Sequence, residues 1–115
     1  MIIKRSDILL VDFEPVKGSE QGKTRPAVVV QNDIGNMYSN TTIIVPITSK
    51  IPSKYYPTDV FVPAEKSGLM KEGIIKCSQI ATISVKDRVI KKIGSLTPET
   101  MHKVNEAIKT SLGLE

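Results

Sequence analysis

Residues Arg25–Asn32 read RPAVVVQN, an unbroken apolar run opened by Arg-Pro and closed by two amides. The run is too short for an ordinary globular helix, and its valines are stiff at χ1 and suit a pleated surface. A strand without polar alternation implies burial on both faces. A second β-rich run, Thr41–Thr48 (TTIIVPIT), follows after Asp33–Asn40, where Gly35-Asn36 is a turn signal. The two runs are expected to pair as an antiparallel hairpin. Asp7–Phe13 (DILLVDF) reads as a strand before them, and Thr58–Val62, Gly73–Ser78 and Val89–Gly94 as shorter strands after them. Turn signals at Glu14-Pro15, Lys17-Gly18, Lys66-Ser67-Gly68 and Lys71-Glu72-Gly73 separate them. Short strands so spaced predict a small barrel or sandwich rather than a βαβ array.

One helix is expected near the end. Thr97 can cap it, Pro98 sits where a missing N–H costs nothing, and Glu99 favours the positive end of the dipole. Met101, Val104, Ile108 and Leu112 follow at helical spacing as one apolar stripe, with Gly113 as a stop. That stripe is expected to pack on the sheet. With 115 residues the chain is read as one domain, 1–115. The apolar run Ile8–Val11 is too short for a signal peptide, and no stretch approaches the roughly 20 apolar residues of a spanning helix. One cysteine, Cys77, cannot form an internal disulfide. A cytoplasmic location is the expectation. The net charge of +4 permits an anionic partner without requiring one.

Several chemistries are excluded. Gly18–Thr24 (GSEQGKT) imitates a phosphate loop, but only three residues separate its glycines where four are needed. Glu20 would put a negative charge in the anion cradle, and the chain continues into a strand instead of the required helix. One His, one Cys and no carboxylate cluster at ligand spacing make no dedicated metal site, and no cofactor motif is present. His102, alone on the helix, reads as a surface or packing residue. A histidine-pair mechanism and a Cys–His or Ser–His nucleophile are therefore excluded.

What remains are polar residues at strand ends. Arg25 opens the second strand directly after the GSEQGKT loop, and Thr48-Ser49-Lys50 closes the third. Pro46 cannot donate to a ladder, which predicts an edge or a bulge just before Thr48. Antiparallel pairing brings Arg25 and Thr48 to the same end of the sheet, with the loop carboxylate of Glu20 nearby. Arg can grip phosphate oxygens with two donors and Thr can add a third hydrogen bond. A surface Arg in a turn and an ordinary strand Thr remain the plainer alternative.

Gly18–Asp33 (GSEQGKTRPAVVVQND) and Ile44–Lys50 (IVPITSK) resemble the two signature blocks of the MazF/PemK/Kid toxin family. The similarity extends to Ser6-Asp7-Ile8, to Gln79-Ile80 before Thr82-Ile83, and to the closing Ser111–Leu114. The resemblance implies an SH3-like, partly open β-barrel with a C-terminal helix, usually a homodimer, and a cognate antitoxin lying in the RNA groove. It implies cleavage of single-stranded RNA to 2′,3′-cyclic phosphate and 5′-OH ends, with Arg25 and Thr48 catalytic. Glu20, Ser49 and Gln79 match positions tied to the active-site loop or to RNA contact, and Ser19 and Asn32, within the first block, are counted with them. Because Arg stays protonated it is an awkward base, so Arg25 is assigned to phosphate stabilisation and Glu20 is a candidate base.

Ser78-Gln79-Ile80-Ala81 departs from the Glu-Gln-Ile-Arg of many relatives, which bears on the cleavage sequence, since base-edge hydrogen bonds select nucleotides. Lys17 stands where some relatives have an apolar residue and exchanges stacking for phosphate attraction. Tyr55 and Tyr56 either stack on unpaired bases or pack their loop. Lys86, Arg88, Lys91 and Lys92 read as a solvated strand face before a basic rim. The competing function is a non-enzymatic binder on the same barrel, such as one that targets DNA gyrase.

Overall fold

The computed structural model describes residues 1–13 and 24–114. The strands are β1 (Asp7–Asp12), β2 (Thr24–Val29), β3 (Thr41–Thr48), β4 (Asp59–Val62), β5 (Gly73–Lys76), β6 (Ala81–Ser84) and β7 (Val89–Ser95). The helices are α1 (Asp33–Tyr38), α2 (Val85–Arg88) and α3 (Pro98–Leu112). All pairings are antiparallel, in the order β4-β5-β3-β2-β1-β7, with β6 also on β3. The fold is a mainly β, open sheet with a C-terminal helix. No ladder among the described residues joins β4 to β7.

The expected two-faced burial of the valine run holds. Ala27, Val28 and Val29 are fully buried; Val28 faces one core with Ile8, Val45 and the α3 residues Met101, Val104 and Ala107, while Ala27 and Val29 face another with Leu9, Val11 and Ile44. On α3, Thr97 accepts the Thr100 N–H and Gly113 closes the helix at φ 74 in the left-handed region. The buried stripe is Met101, Val104 and Ala107, whereas Leu112, expected on that stripe, is exposed in the last turn of the helix.

Three elements depart from expectation. The segment after β2, anticipated as a hairpin loop, contains α1, because Asn32 caps it by accepting the Gly35 N–H. Ala81–Ser84 forms β6 although its residues show little apolar alternation, and Ser84 caps the single turn of α2. Pro46 is neither at an edge nor at a bulge: it pairs with Ala27 on one side. On the other side β3 pairs with β6 as far as Ile44 and with β5 from Ile47. The residue without an N–H thus falls in the gap between two neighbours, where no donor is required.

Candidate functional site

The register of β2 and β3 runs Val29↔Ile44, Val28↔Val45, Ala27↔Pro46. Continued by two residues, it sets Arg25 across from Thr48, and both line one cleft of about 640 Å³. The floor of the cleft is apolar. Leu10 pairs with Pro26, so the two share a face, and Ile47 lies beside them. Ser49 joins the lining, so Arg25, Thr48 and Ser49 are brought together.

The polar capacity at this end of the sheet is largely unspent. The exposed Arg25 guanidinium makes no hydrogen bond or ion pair with the described residues. Thr48 Oγ1 accepts the backbone N–H of Lys50 at 3.2 Å. That leaves its hydroxyl hydrogen to donate elsewhere, and accepting one bond polarises the O–H for the next. The cleft therefore offers a bidentate cation and a hydroxyl donor to one anionic group.

Thr48 is held by its backbone. A Cβ on the buried Gly73 of β5 would stand 2.7 Å from the Thr48 carbonyl oxygen and 2.8 Å from Ile47 Cγ2. Only glycine lets β5 come this close. Another wall is the segment 68–72, which leads into β5. A Cβ on Gly68 would meet the Ile93 carbonyl oxygen at 2.5 Å, and one on Gly94 would meet that of Ser67 at 2.0 Å. Two glycines thus let this segment lie flat on β7. The buried Ser67 Oγ donates to the carbonyls of Pro63 and Ala64 and accepts the Leu69 N–H. The wall presents Met70, almost wholly exposed, together with Lys71 and Glu72. None of this wall was anticipated as functional.

The basic run divides. Lys91 and Lys92 line the cleft; Lys86 and Arg88 belong to α2 and do not. Lys92 Nζ pairs with the buried Asp7 carboxylate at 3.2 Å.

Four other expected site residues, Asn32, Gln79, Tyr55 and Tyr56, lie elsewhere. Asn32 follows the far end of β2 from Arg25, and its side chain is engaged as the α1 cap. Gln79 is exposed in the turn after β5. Tyr55 and Tyr56 are exposed in the loop before β4 and do not line the cleft. Lys17, Ser19 and Glu20 fall outside the described residues. His102 is exposed on α3. The Cys77 thiol is pushed up to about 12 by burial and by the charge of Asp59, so it stays protonated at neutral pH and is no nucleophile. Among the described residues no helix is long and apolar enough to cross a membrane.

Residues 4–112 match a family model described as the PemK-like, MazF-like toxin of type II toxin–antitoxin systems. The chain is 46% identical over 114 residues to endoribonuclease EndoA of Bacillus subtilis, covering 99% of this chain and 97% of that protein. It is 43% identical over 113 residues to endoribonuclease MazF of Staphylococcus saprophyticus, covering 98% and 93%. Among solved structures, a MazE–MazF crystal structure from Deinococcus radiodurans matches with a TM-score of 0.83 at 22% identity, covering 100% of this chain and 99% of that one; this likeness is one of fold.

Proposed function

The chain belongs to the PemK-like, MazF-like toxin family of type II toxin–antitoxin systems, and on that premise we propose that it is a cytoplasmic, metal-independent endoribonuclease cutting single-stranded mRNA at a short sequence. The ribose 2′-oxygen attacks the adjacent phosphorus and the bond to the 5′-oxygen breaks. The products are a 2′,3′-cyclic phosphate and a free 5′-OH. One proton leaves the 2′-OH and one reaches the 5′-oxygen, with Glu20 the candidate base. Arg25 grips two phosphate oxygens and Thr48 donates to the charge that builds in the phosphorane.

The observation that carries this reading is the pair itself: unspent donors of Arg25 and Thr48 at facing ends of β2 and β3, on one cleft. Two relatives named endoribonucleases, similar over nearly their whole length, support it. Ser49 contacts RNA within the cleft. Lys17 and Ser19 contact RNA as well, and Asn32, Gln79, Tyr55 and Tyr56 contact RNA that runs beyond the cleft or onto a second copy of the chain. A homodimer is the working form, and a cognate antitoxin protein, like the MazE of the Deinococcus complex, is the partner that restrains it.

The test is cleavage of a long single-stranded RNA pool in excess EDTA by the wild type and by Arg25→Ala. Wild-type cleavage with cyclic phosphate ends, reduced by about 10²–10³ in the variant, is expected. An intact pool, or equal cutting by both proteins, overturns the proposal.

A further inference from the structure

We propose that Lys91 of β7 and Lys71 of the facing wall form a second phosphate subsite, which holds a nucleotide neighbouring the one at Arg25 and Thr48. The inference rests on the ribonuclease reading above and adds to it a specific pair of residues. Among the described residues, four cationic residues border the cleft, Arg25, Lys71, Lys91 and Lys92, with one acidic residue, Glu72. They are not equivalent. Lys92 pairs with Leu9, whose side chain is fully buried on the face away from the cleft. On that face the Lys92 ammonium meets Asp7. Lys91 pairs with Leu10, which lies on the cleft floor, so Lys91 rises from the same face as the floor. Ile93, two residues along the strand, lines the cleft as well.

Lys71 and Lys91 make no ion pair or side-chain hydrogen bond with the described residues, and both are exposed. Their charge is therefore available to a polyanion. The close approach of Gly68 and Gly94 holds the Lys71 wall against the strand that carries Lys91, so the two lysines stand on one stiff unit. Arg25 and Thr48 line the same cleft. A single strand of RNA threading this cleft sets one phosphate at the Arg25–Thr48 pair and another between the lysines. Lysine suits such a subsite, acting as a point charge that tolerates any base. Each phosphate neutralised there releases condensed counterions, which makes the contact visible in the salt dependence of binding.

The experiment uses a labelled, mixed-sequence single-stranded RNA whose 2′-oxygens are methylated, so that it cannot be cut. Its affinity is measured by fluorescence anisotropy over a KCl series for the wild type, Lys71→Gln, Lys91→Gln, the double variant and Lys103→Gln, the last on the exposed side of α3. The slope of log affinity against log salt should become shallower by about 0.7 in the double variant, which loses this one phosphate contact, and by less in each single variant. Lys103→Gln should keep the wild-type slope. Equal slopes in all five proteins, or an equal loss for Lys103→Gln, overturn the subsite. Unmodified RNA is cut in parallel. If the wild type leaves it intact, the ribonuclease reading falls while the anisotropy slopes still decide the fate of the lysine pair.

Discussion

The two ends of the β2–β3 pair are built from similar residue types and put to opposite use. At the α1 end nearly every polar group is consumed inside the chain. Asn36 Oδ1 accepts from Gln31 Nε2 at 3.0 Å and from Thr42 Oγ1 at 2.7 Å, and its Nδ2 donates to the Gln31 carbonyl and to Asp33. Asp33 also accepts the Arg5 N–H at 2.6 Å; that bond first, and Asn36 next, hold its carboxyl below the ordinary value. At the cleft end Thr48 accepts one hydrogen bond, and Arg25 makes none with the described residues. A polar group whose bonding capacity is saturated by its own chain stabilises a fold, whereas one left with donors over a cleft is free to bind.

The largest effect that sharpens this contrast is on rate. On the proposed mechanism Thr48→Val removes one transition-state donor, and it should slow RNA cleavage by about 10²–10³ with little change in stability. Its mirror image is Asn36→Ala, which leaves the buried Thr42 hydroxyl and the Gln31 amide without a shared acceptor. It should destabilise the fold by about 1–3 kcal/mol and leave the cleavage rate per folded molecule unchanged. Chemical denaturation paired with single-turnover cleavage reads both quantities. If Thr48→Val mainly lowers stability, or Asn36→Ala mainly lowers the rate, the division between the two ends is wrong.

That division also marks what could be read from residues alone. The meeting of Arg25 and Thr48 was legible because it needs only two strands, a short connection and antiparallel geometry. The double burial of Ala27–Val29 was legible from the unbroken valine run. By contrast, α1 is one short stretch whose apolar residues Ile34, Met37 and Tyr38 all face solvent, so no stripe announces it. β6 is held by its ladder with Thr41–Ile44 more than by its own residues. The Lys71 wall depends on a backbone contact between Gly68 and Gly94, far apart in sequence. Which lysine of Lys91-Lys92 faces the cleft turns on the bulged register of β1 with β7. Contacts of that kind are tertiary, and local patterning does not encode them.

Gly73 tests whether the contrast can be broken at one residue, since it is a structural position pressed on the proposed catalytic Thr48. In Gly73→Ala the new methyl meets the Thr48 carbonyl oxygen, and backbone cannot yield as a flexible side chain can. Overpacking of this sort costs about 1–3 kcal/mol. Displacing Thr48 should also slow cleavage by up to about 10²-fold, because transition-state contacts tolerate little misplacement. Both losses in one variant mark Gly73 as a positioning residue; a stability loss with an unchanged rate restricts it to the fold. RNA affinity should change less than rate, a split between KM and kcat that a general loss of folded protein does not produce.

The smallest expected effect lies at Asp59, away from both ends. Its carboxylate accepts Lys76 Nζ at 2.8 Å and the Tyr56 N–H at 3.0 Å. Burial works to raise its pKa, but the bonds from Lys76 and Tyr56 and the Lys76 charge outweigh it, and the group sits below the ordinary 3.8. The unfolded chain therefore takes up this proton at higher pH than the folded one. The stability Asp59 contributes is complete above 3.8 and lost as pH falls through the lower, folded value. Replacing it in Asp59→Asn should cost about 1 kcal/mol at neutral pH. It should also flatten the acid limb of stability against pH. Melts of both proteins from neutral to about pH 2 read the difference. An acid limb equally steep in the variant would mean that other carboxylates carry it. If cleavage at neutral pH fell as well, the loop with Tyr55 and Tyr56, which this carboxylate ties down, would belong with the cleft end of the molecule, and the boundary between structure and function would have to be redrawn to include it.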